Sequence, residues 1–222
     1  MSNRYSMRIN KYLADKKIST RRGADELIKQ KKVFINGKVA ILGDQVKETD
    51  KVEVRGADKK EYLYFAYNKP IGIETDSPRE DLFPLGRLDK ASHGLMILTN
   101  DGRITDQLLN PKYYHEKEYV VRTSNKLRSS FKKNMEAGVN IEGYKTKKCK
   151  VQILSDFSFK VILTEGKKHQ IRRMCSALFQ EVADLKRERI MNIKLGNLKQ
   201  GGLREIKGGE LSIFLNQVLR QS

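Results

Sequence analysis

Three stretches of the chain hold residues whose types and spacing suit chemistry on a bound substrate. The first is PLGRLDKASHGLMILTNDG (Pro84–Gly102), where Arg87 and Asp89 sit on a Gly-rich turn ahead of the apolar strand Gly94–Thr99. A carboxylate on a loop carried by a rigid strand is well placed to act as a base or a nucleophile. The same residue reads equally as a structural Asp that caps the turn, and this fragment alone does not separate the two. The second stretch is EGKKHQIRRMCSALF (Glu165–Phe179), with Ile171, Met174, Cys175 and Leu178 on one helical face. Arg172 and Arg173 project elsewhere, near the helix start with Lys167 and Lys168. The plain reading is a solvated charge run. Set beside Asp89, one of these cations would favour the ionised carboxylate. His169 is a candidate general base, although a lone His is more often a packing or hydrogen-bonding residue. The third stretch, HEKEYVV (His115–Val121), puts Tyr119 in a strand flanked by charges. Tyr119 is either a core aromatic or a platform on which an extruded base stacks, an interaction of ~1–3 kcal/mol per base.

Other chemistries lack their residues. There is no GxxxxGK[ST] loop and no GxGxxG after a strand, which argues against nucleotide and dinucleotide use and weakens a methyltransferase reading. Three histidines and two isolated cysteines make no zinc site, so neither a metal nor a cofactor is expected. No apolar run approaches the ~20 residues of a membrane span. The opening MSNRYSMRINKYL does not read as a secretory leader. Cys149 and Cys175 read as reduced thiols of a cytoplasmic protein. Lys and Arg number 45 against 27 Asp and Glu, a formal charge of +18, which points to a polyanion and to nucleic acid ahead of an acidic membrane.

These residues need elements to position them. Residues 1–40 hold 11 Lys/Arg and 3 Asp/Glu, net +8. Ile9, Tyr12 and Leu13 are spaced for a helix; Ser19 or Thr20 caps a second, with Ala24, Leu27 and Ile28 on its apolar face. Val33–Val39 reads as strand, Asn-Gly turn and return strand, and Val52 and Val54 mark a further strand. Arg21 and Arg22 occupy the first turn of the second helix, where the dipole disfavours cations. That is a small surface cost, or a phosphate grip to which Arg8, Lys11 and Lys38 contribute. A small domain is expected over residues 1–56, a polar linker over 57–61, and a larger α+β domain with a mostly antiparallel sheet over 62–222. Its strands read as YLYFAYNK, GLMILT, EYVVRT, KCKVQIL and FKVILTE, and its helices fall at about 103–110, 127–137, 168–179 and 209–219.

Taken together, these motifs resemble the RsuA-type family of ribosomal RNA pseudouridine synthases over nearly the whole chain. RINKYLA, STRR and VFINGKVA resemble its S4-like (alpha-L) RNA-binding domain. NKPIG, GRLDKASHGLMILTNDG, KEY and GKKHQIRRM follow in family order as its synthase domain, a mixed sheet flanked by helices. GDQVK, TKKCKV and RERIMNI are most similar to the RluF-type branch, whose members modify a uridine in domain V of 23S rRNA and in some cases the anticodon loop of a tyrosine tRNA. The resemblance implies Asp89 as the catalytic carboxylate, Tyr119 as the base-stacking tyrosine and Arg172 as the basic partner, with Arg173 beside it on the RNA. It implies that Arg87 helps fill the space left by the extruded base, and that Lys117 of KEY faces the RNA. The expected partner is therefore ribosomal RNA, 23S first, with tRNA a second substrate; no membrane partner is expected, and the chain is expected to act as a monomer. The alternative is an S4-like RNA-binding or ribosome-assembly protein without activity. The chain departs from the family in a short stretch between Pro70 and Gly86, and in Lys17 and Lys31, which stand where glycines are usual.

Overall fold

The structure is a computed structural model that describes residues 6–16, 18–56 and 61–219. Residues 57–60 of the expected linker, and Lys17, lie outside the described residues. The chain forms two compact units, Met1–Tyr62 with Asp101–Arg103, and Leu63–Asn100 with Ile104–Ser222.

The smaller unit runs β1 (Ser6–Arg8), α1 (Ile9–Asp15), α2 (Arg21–Lys29), β2 (Val33–Ile35), β3 (Lys38–Val39), β4 (Gln45–Lys47) and β5 (Val52–Val54). Thr20 caps α2, its Oγ1 accepting from Gly23 N at 3.0 Å. The Asn36-Gly37 turn has φ of 50° and 79°, the type that closes a two-residue hairpin. β2 is flanked by β3 and β5, and β1 pairs separately with β4. Ile9, Leu13, Ala24, Ile28, Val33 and Val46 form the core. α2 ends with Lys32 N bonded to Leu27 O and Lys31 N to Ile28 O, which forces Lys31 to a left-handed φ of 57°.

The larger unit holds β6 (Tyr64–Lys69), β7 (Phe83–Leu85), β8 (His93–Thr99), α3 (Thr105–Leu109), β9 (Lys117–Thr123), α4 (Phe131–Glu136), β10 (Asn140–Ile141), β11 (Tyr144–Lys145), β12 (Lys150–Ser155), β13 (Ser158–Leu163), α5 (Gln170–Ala177), β14 (Val182–Ile190), β15 (Ile193–Lys194), β16 (Leu203–Glu205) and α6 (Gly208–Leu219). The main sheet has the order β12-β13-β9-β14-β8-β6-β16, with β7 on β8 and β15 on β14. It is α+β and mostly antiparallel, as expected; β14 and β8 are its parallel pair. Leu95, Met96, Ile97 and Leu98 are fully buried, which explains the unbroken apolar run of β8. At Gly94 a Cβ would lie 2.4 Å from Arg187 O, so this crossing needs glycine. β14, at the heart of the sheet, is a strand that the sequence reading passes over.

Candidate active site

Asp89 lies on the turn between β7 and β8, and the backbone on either side of it is pinned. Thr75 Oγ1 donates to Leu88 O and accepts from Leu88 N at 3.1 Å. Gly72 N donates to Lys90 O at 2.8 Å, and Ser92 N to Asp89 O at 3.0 Å. Below the turn, Lys69 ends β6 with no exposed surface, its Nζ donating to Pro70 O at 2.9 Å and Ser92 O at 2.8 Å. Burial lowers its pKa, against an upward pull from Asp89 and Glu74. Lys69 is a residue the sequence reading passes over; a lysine ending the apolar run YFAYNK was the available signal.

The Asp89 side chain takes no part in this pinning. A turn-capping aspartate accepts from a nearby backbone N–H. Here Oδ1 is buried with no hydrogen-bond partner among the described residues, and Oδ2 lies 3.5 Å from Arg172 Nε. Arg172 is held independently of that pair: its Nη1 donates to Val182 O at 3.2 Å, and its Nη2 to Ala91 O at 3.0 Å and Ser92 Oγ at 3.3 Å. Arg173, its neighbour in sequence, turns instead to Glu142, 2.5 Å away.

α5 owes its placement to a carboxylate. Glu165 Oε1 accepts from Lys147 N at 2.9 Å and Gln170 Nε2 at 2.7 Å, and Oε2 accepts from the Tyr144 hydroxyl. Gln170 Oε1 accepts from Lys167 N at 2.9 Å, which closes the GKKHQ loop onto the helix start. Glu165 and Gln170 are both buried. Sequence reading takes neither as a site residue, because their task is to hold the loop.

Asp89, Arg87, Lys117, Tyr119, His169 and Ile171 all face one cavity of about 760 Å³, the size range of small-ligand sites. Tyr119 is 8% exposed, in the wall of β9. It thus belongs to the core and to the cavity together. Arg87 is exposed and has no ion-pair partner among the described residues. Lys117 is half-buried and is pushed down to about 8, first by burial and then by Arg187. Cys149 and Cys175 are free thiols, which burial pushes up to about 11 and about 12.

The remaining cations singled out in the sequence lie in the smaller unit. Arg8 precedes α1 and Lys11 is within it; Arg21 and Arg22 open α2; Lys38 opens β3. Arg8, Arg21, Arg22 and Lys38 are exposed, and none of the five has an ion-pair partner among the described residues.

Two family models match: "RNA pseudouridylate synthase" over residues 63–177 and "S4 domain" over residues 7–52. The chain is 41% identical to the dual-specificity RNA pseudouridine synthase RluF of Escherichia coli K12, over 93% of this chain and 77% of that one. It is 34% identical to ribosomal large subunit pseudouridine synthase B of Bacillus subtilis, over 92% and 93% respectively. A crystal structure of a pseudouridylate synthase superposes with a TM-score of 0.69 at 27% identity, covering 96% of this chain and all of that one.

Proposed function

We propose that this chain, which belongs to the RsuA-type, S4-domain-bearing family of RNA pseudouridine synthases, isomerises a uridine of 23S rRNA with Asp89 as its nucleophile. The activity on RNA follows from the family; the target and the roles of individual residues are our reading. The observation that carries it is the state of Asp89, which has one oxygen against a fixed guanidinium and the other buried and unengaged at the wall of the cavity that Tyr119 lines. Burying a carboxylate oxygen without a partner costs about 1–3 kcal/mol or more, which a structural aspartate would avoid.

The target uridine leaves its stack at a cost of a few kcal/mol. Arg87, exposed at the cavity, fills the gap, and Tyr119 receives the base. Arg172, 3.5 Å from its Oδ2, holds Asp89 in place. The carboxylate then attacks C1′ of the ribose, adds at C6 of the base or removes the C2′ proton; each begins from the ionised form. The base turns and rejoins the ribose through C5. No hydride, electron or high-energy phosphate is exchanged.

Arg8, Lys11, Arg21, Arg22 and Lys38 grip phosphates, with Lys117 and Arg173 on the RNA nearer the site. We favour domain V of 23S rRNA as target, with a tyrosine tRNA as second substrate, on the RluF-type resemblance; the likeness to the dual-specificity relative RluF over 93% of the chain supports this reading. We take the enzyme to act as a monomer in the cytoplasm, where those RNAs are found, and residues 57–61 to link its two domains.

Mapping pseudouridines in 23S rRNA and tRNA tests this directly. Cells lacking the protein should lose a site in domain V, and wild-type protein but not Asp89→Asn should restore it. Loss of no rRNA site, or restoration by Asp89→Asn, would overturn the proposal.

A further inference from the structure

Besides the exposed Arg87, the cavity wall carries two inward cations, Lys117 and Arg187, with no ion-pair partner among the described residues. Lys117 precedes Tyr119 by two residues on β9, so the pleat puts both on one face. Arg187 lies directly across from Tyr119 on β14. Arg187 is 2% exposed; its Nε donates to Leu95 O at 2.7 Å, and its Nη2 is buried without a partner. Lys117 reaches a carbonyl, His115 O, at 3.5 Å. Glu116 and Glu118 are committed to Arg189, Glu118 also to Lys160, and Glu165 to Tyr144, Lys147 N and Gln170; Asp89 and Glu74 share the cavity, but among the described residues neither lies within ion-pair distance of Lys117 or Arg187. Two like charges, partly desolvated and unpaired, are an arrangement folding does not favour. Arg187 is among the forces that push Lys117 down to about 8.

We infer that Lys117 and Arg187 form an anion-stabilising subsite for the uracil base, donating to its carbonyl oxygens as negative charge develops there. This rests on the reading of Asp89 as the attacking carboxylate. Attack at C1′ sends the N1–C1′ electron pair onto N1, from which it spreads to O2 and O4. Removal of the C2′ proton expels the same uracil anion, and addition at C6 places the charge on O4 as an enolate. Formation of the C5–C1′ bond uses the pair again, and loss of the C5 proton restores a neutral ring. The ground-state base offers only carbonyl dipoles, so the two cations find their counter-charge chiefly in the transition state.

The test is single-turnover conversion of a transcript of 23S rRNA domain V, made with uridine or with 5-fluorouridine, by wild type, Lys117→Met, Lys117→Arg and Asp89→Asn. Lys117→Met conserves volume and removes a partly desolvated charge; circular dichroism checks that it folds. We expect it to lower the uridine rate 10²–10³-fold with the RNA Kd within threefold of wild type. Scored as disappearance of the starting nucleotide, because fluorine at C5 replaces the proton lost in the last step, the deficit should be at least tenfold smaller with 5-fluorouridine, whose base is a more stable anion, and Lys117→Arg should recover at least tenfold. A near-wild-type rate, a weakened Kd at unchanged rate, or equal deficits with both bases would overturn the inference. If Asp89→Asn is inactive while Lys117→Met is not impaired, the subsite alone fails; an active Asp89→Asn removes the reading beneath it.

Discussion

Lys117→Met should stabilise the fold while it damages the enzyme. Burial, and then Arg187, push Lys117 from the ordinary lysine value of 10.5 down to about 8. At 1.36 kcal/mol per tenfold change in proton affinity, the difference of about 2.5 makes the charged form about 3 kcal/mol more costly in the folded state. Below pH 8 both folded and unfolded chains carry the proton, and the fold bears this cost in full. Between pH 8 and 10.5 the unfolded chain binds more protons, so stability rises with pH; above 10.5 the cost is gone. Methionine spares it at every pH and fills similar volume. In urea unfolding of the full-length protein, followed by circular dichroism, the transition of the larger unit should show Lys117→Met more stable by about 1–3 kcal/mol at pH 7. The advantage should shrink by pH 10. A variant less stable than wild type at pH 7, or an advantage that does not change with pH, would refute the reasoning. Activity should follow the same titration with the opposite benefit. With Arg187, Arg87, Tyr119 and Asp89 on the same cavity, the wild-type single-turnover rate should fall as pH rises through about 8, whereas Lys117→Arg should hold its rate.

Arg172→Met should lower the single-turnover rate roughly 10–100-fold, the loss of a half-buried ion pair of about 1–3 kcal/mol, with RNA affinity nearly intact; an unimpaired rate in rapid-quench assays would remove Arg172 from the site. Lys31→Gly should raise the stability of the smaller unit by about 1 kcal/mol, because a glycine at φ 57° escapes the left-handed penalty; a lowered melting temperature would contradict this. Arg21→Ala with Arg22→Ala should weaken RNA binding and reduce the slope of log K against log salt by roughly 0.7–0.9 for each phosphate released. An unchanged slope in filter-binding titrations would show that this helix start does not touch the backbone.

What was legible in the sequence was local. The Thr20 cap, the Asn36-Gly37 hairpin and the apolar run of β8 follow from propensity and periodicity over a few residues, and all three are present. Helix limits were less legible: 127–137 and 168–179 shrink to Phe131–Glu136 and Gln170–Ala177, because flanking residues with helical propensity are used in turns. β1 and β4 escape because SMR and QVK each offer a single apolar residue, with none of the alternation that marks β5 (VEV). β14 escapes for a more instructive reason. VADLKRERI carries five charged residues, yet it lies between β9 and β8. Its cations are accommodated by specific partners or by the cavity: Arg189 by Glu116 and Glu118, Lys186 by Glu188, and Arg187 by Leu95 O on one side. Long-range pairing of that kind leaves no local signal, although Leu185 and Arg187 do alternate as buried positions.

The candidate site divides in the same way. The residue types of GRLD, KEY and HQIRR were visible, but their meeting was not: Asp89 and Arg172 are 83 residues apart in a chain of 222. Choosing between Arg172 and Arg173 requires the course of α5, which the Glu165 network fixes. The supporting residues Lys69, Glu165 and Arg187 act through carbonyls and loops, so their types alone announce nothing.

The central claim is that the unengaged carboxylate of Asp89 performs the chemistry. Tritium release from 5-tritiated uridine in a domain V transcript, measured in a single turnover at saturating enzyme, tests it most directly. Wild type should release one tritium per transcript, that of the target uridine, and Asp89→Asn none, with the RNA Kd of the variant within about threefold, since charge on the RNA-binding surface is barely altered. Release by folded Asp89→Asn at a rate comparable to wild type would contradict it.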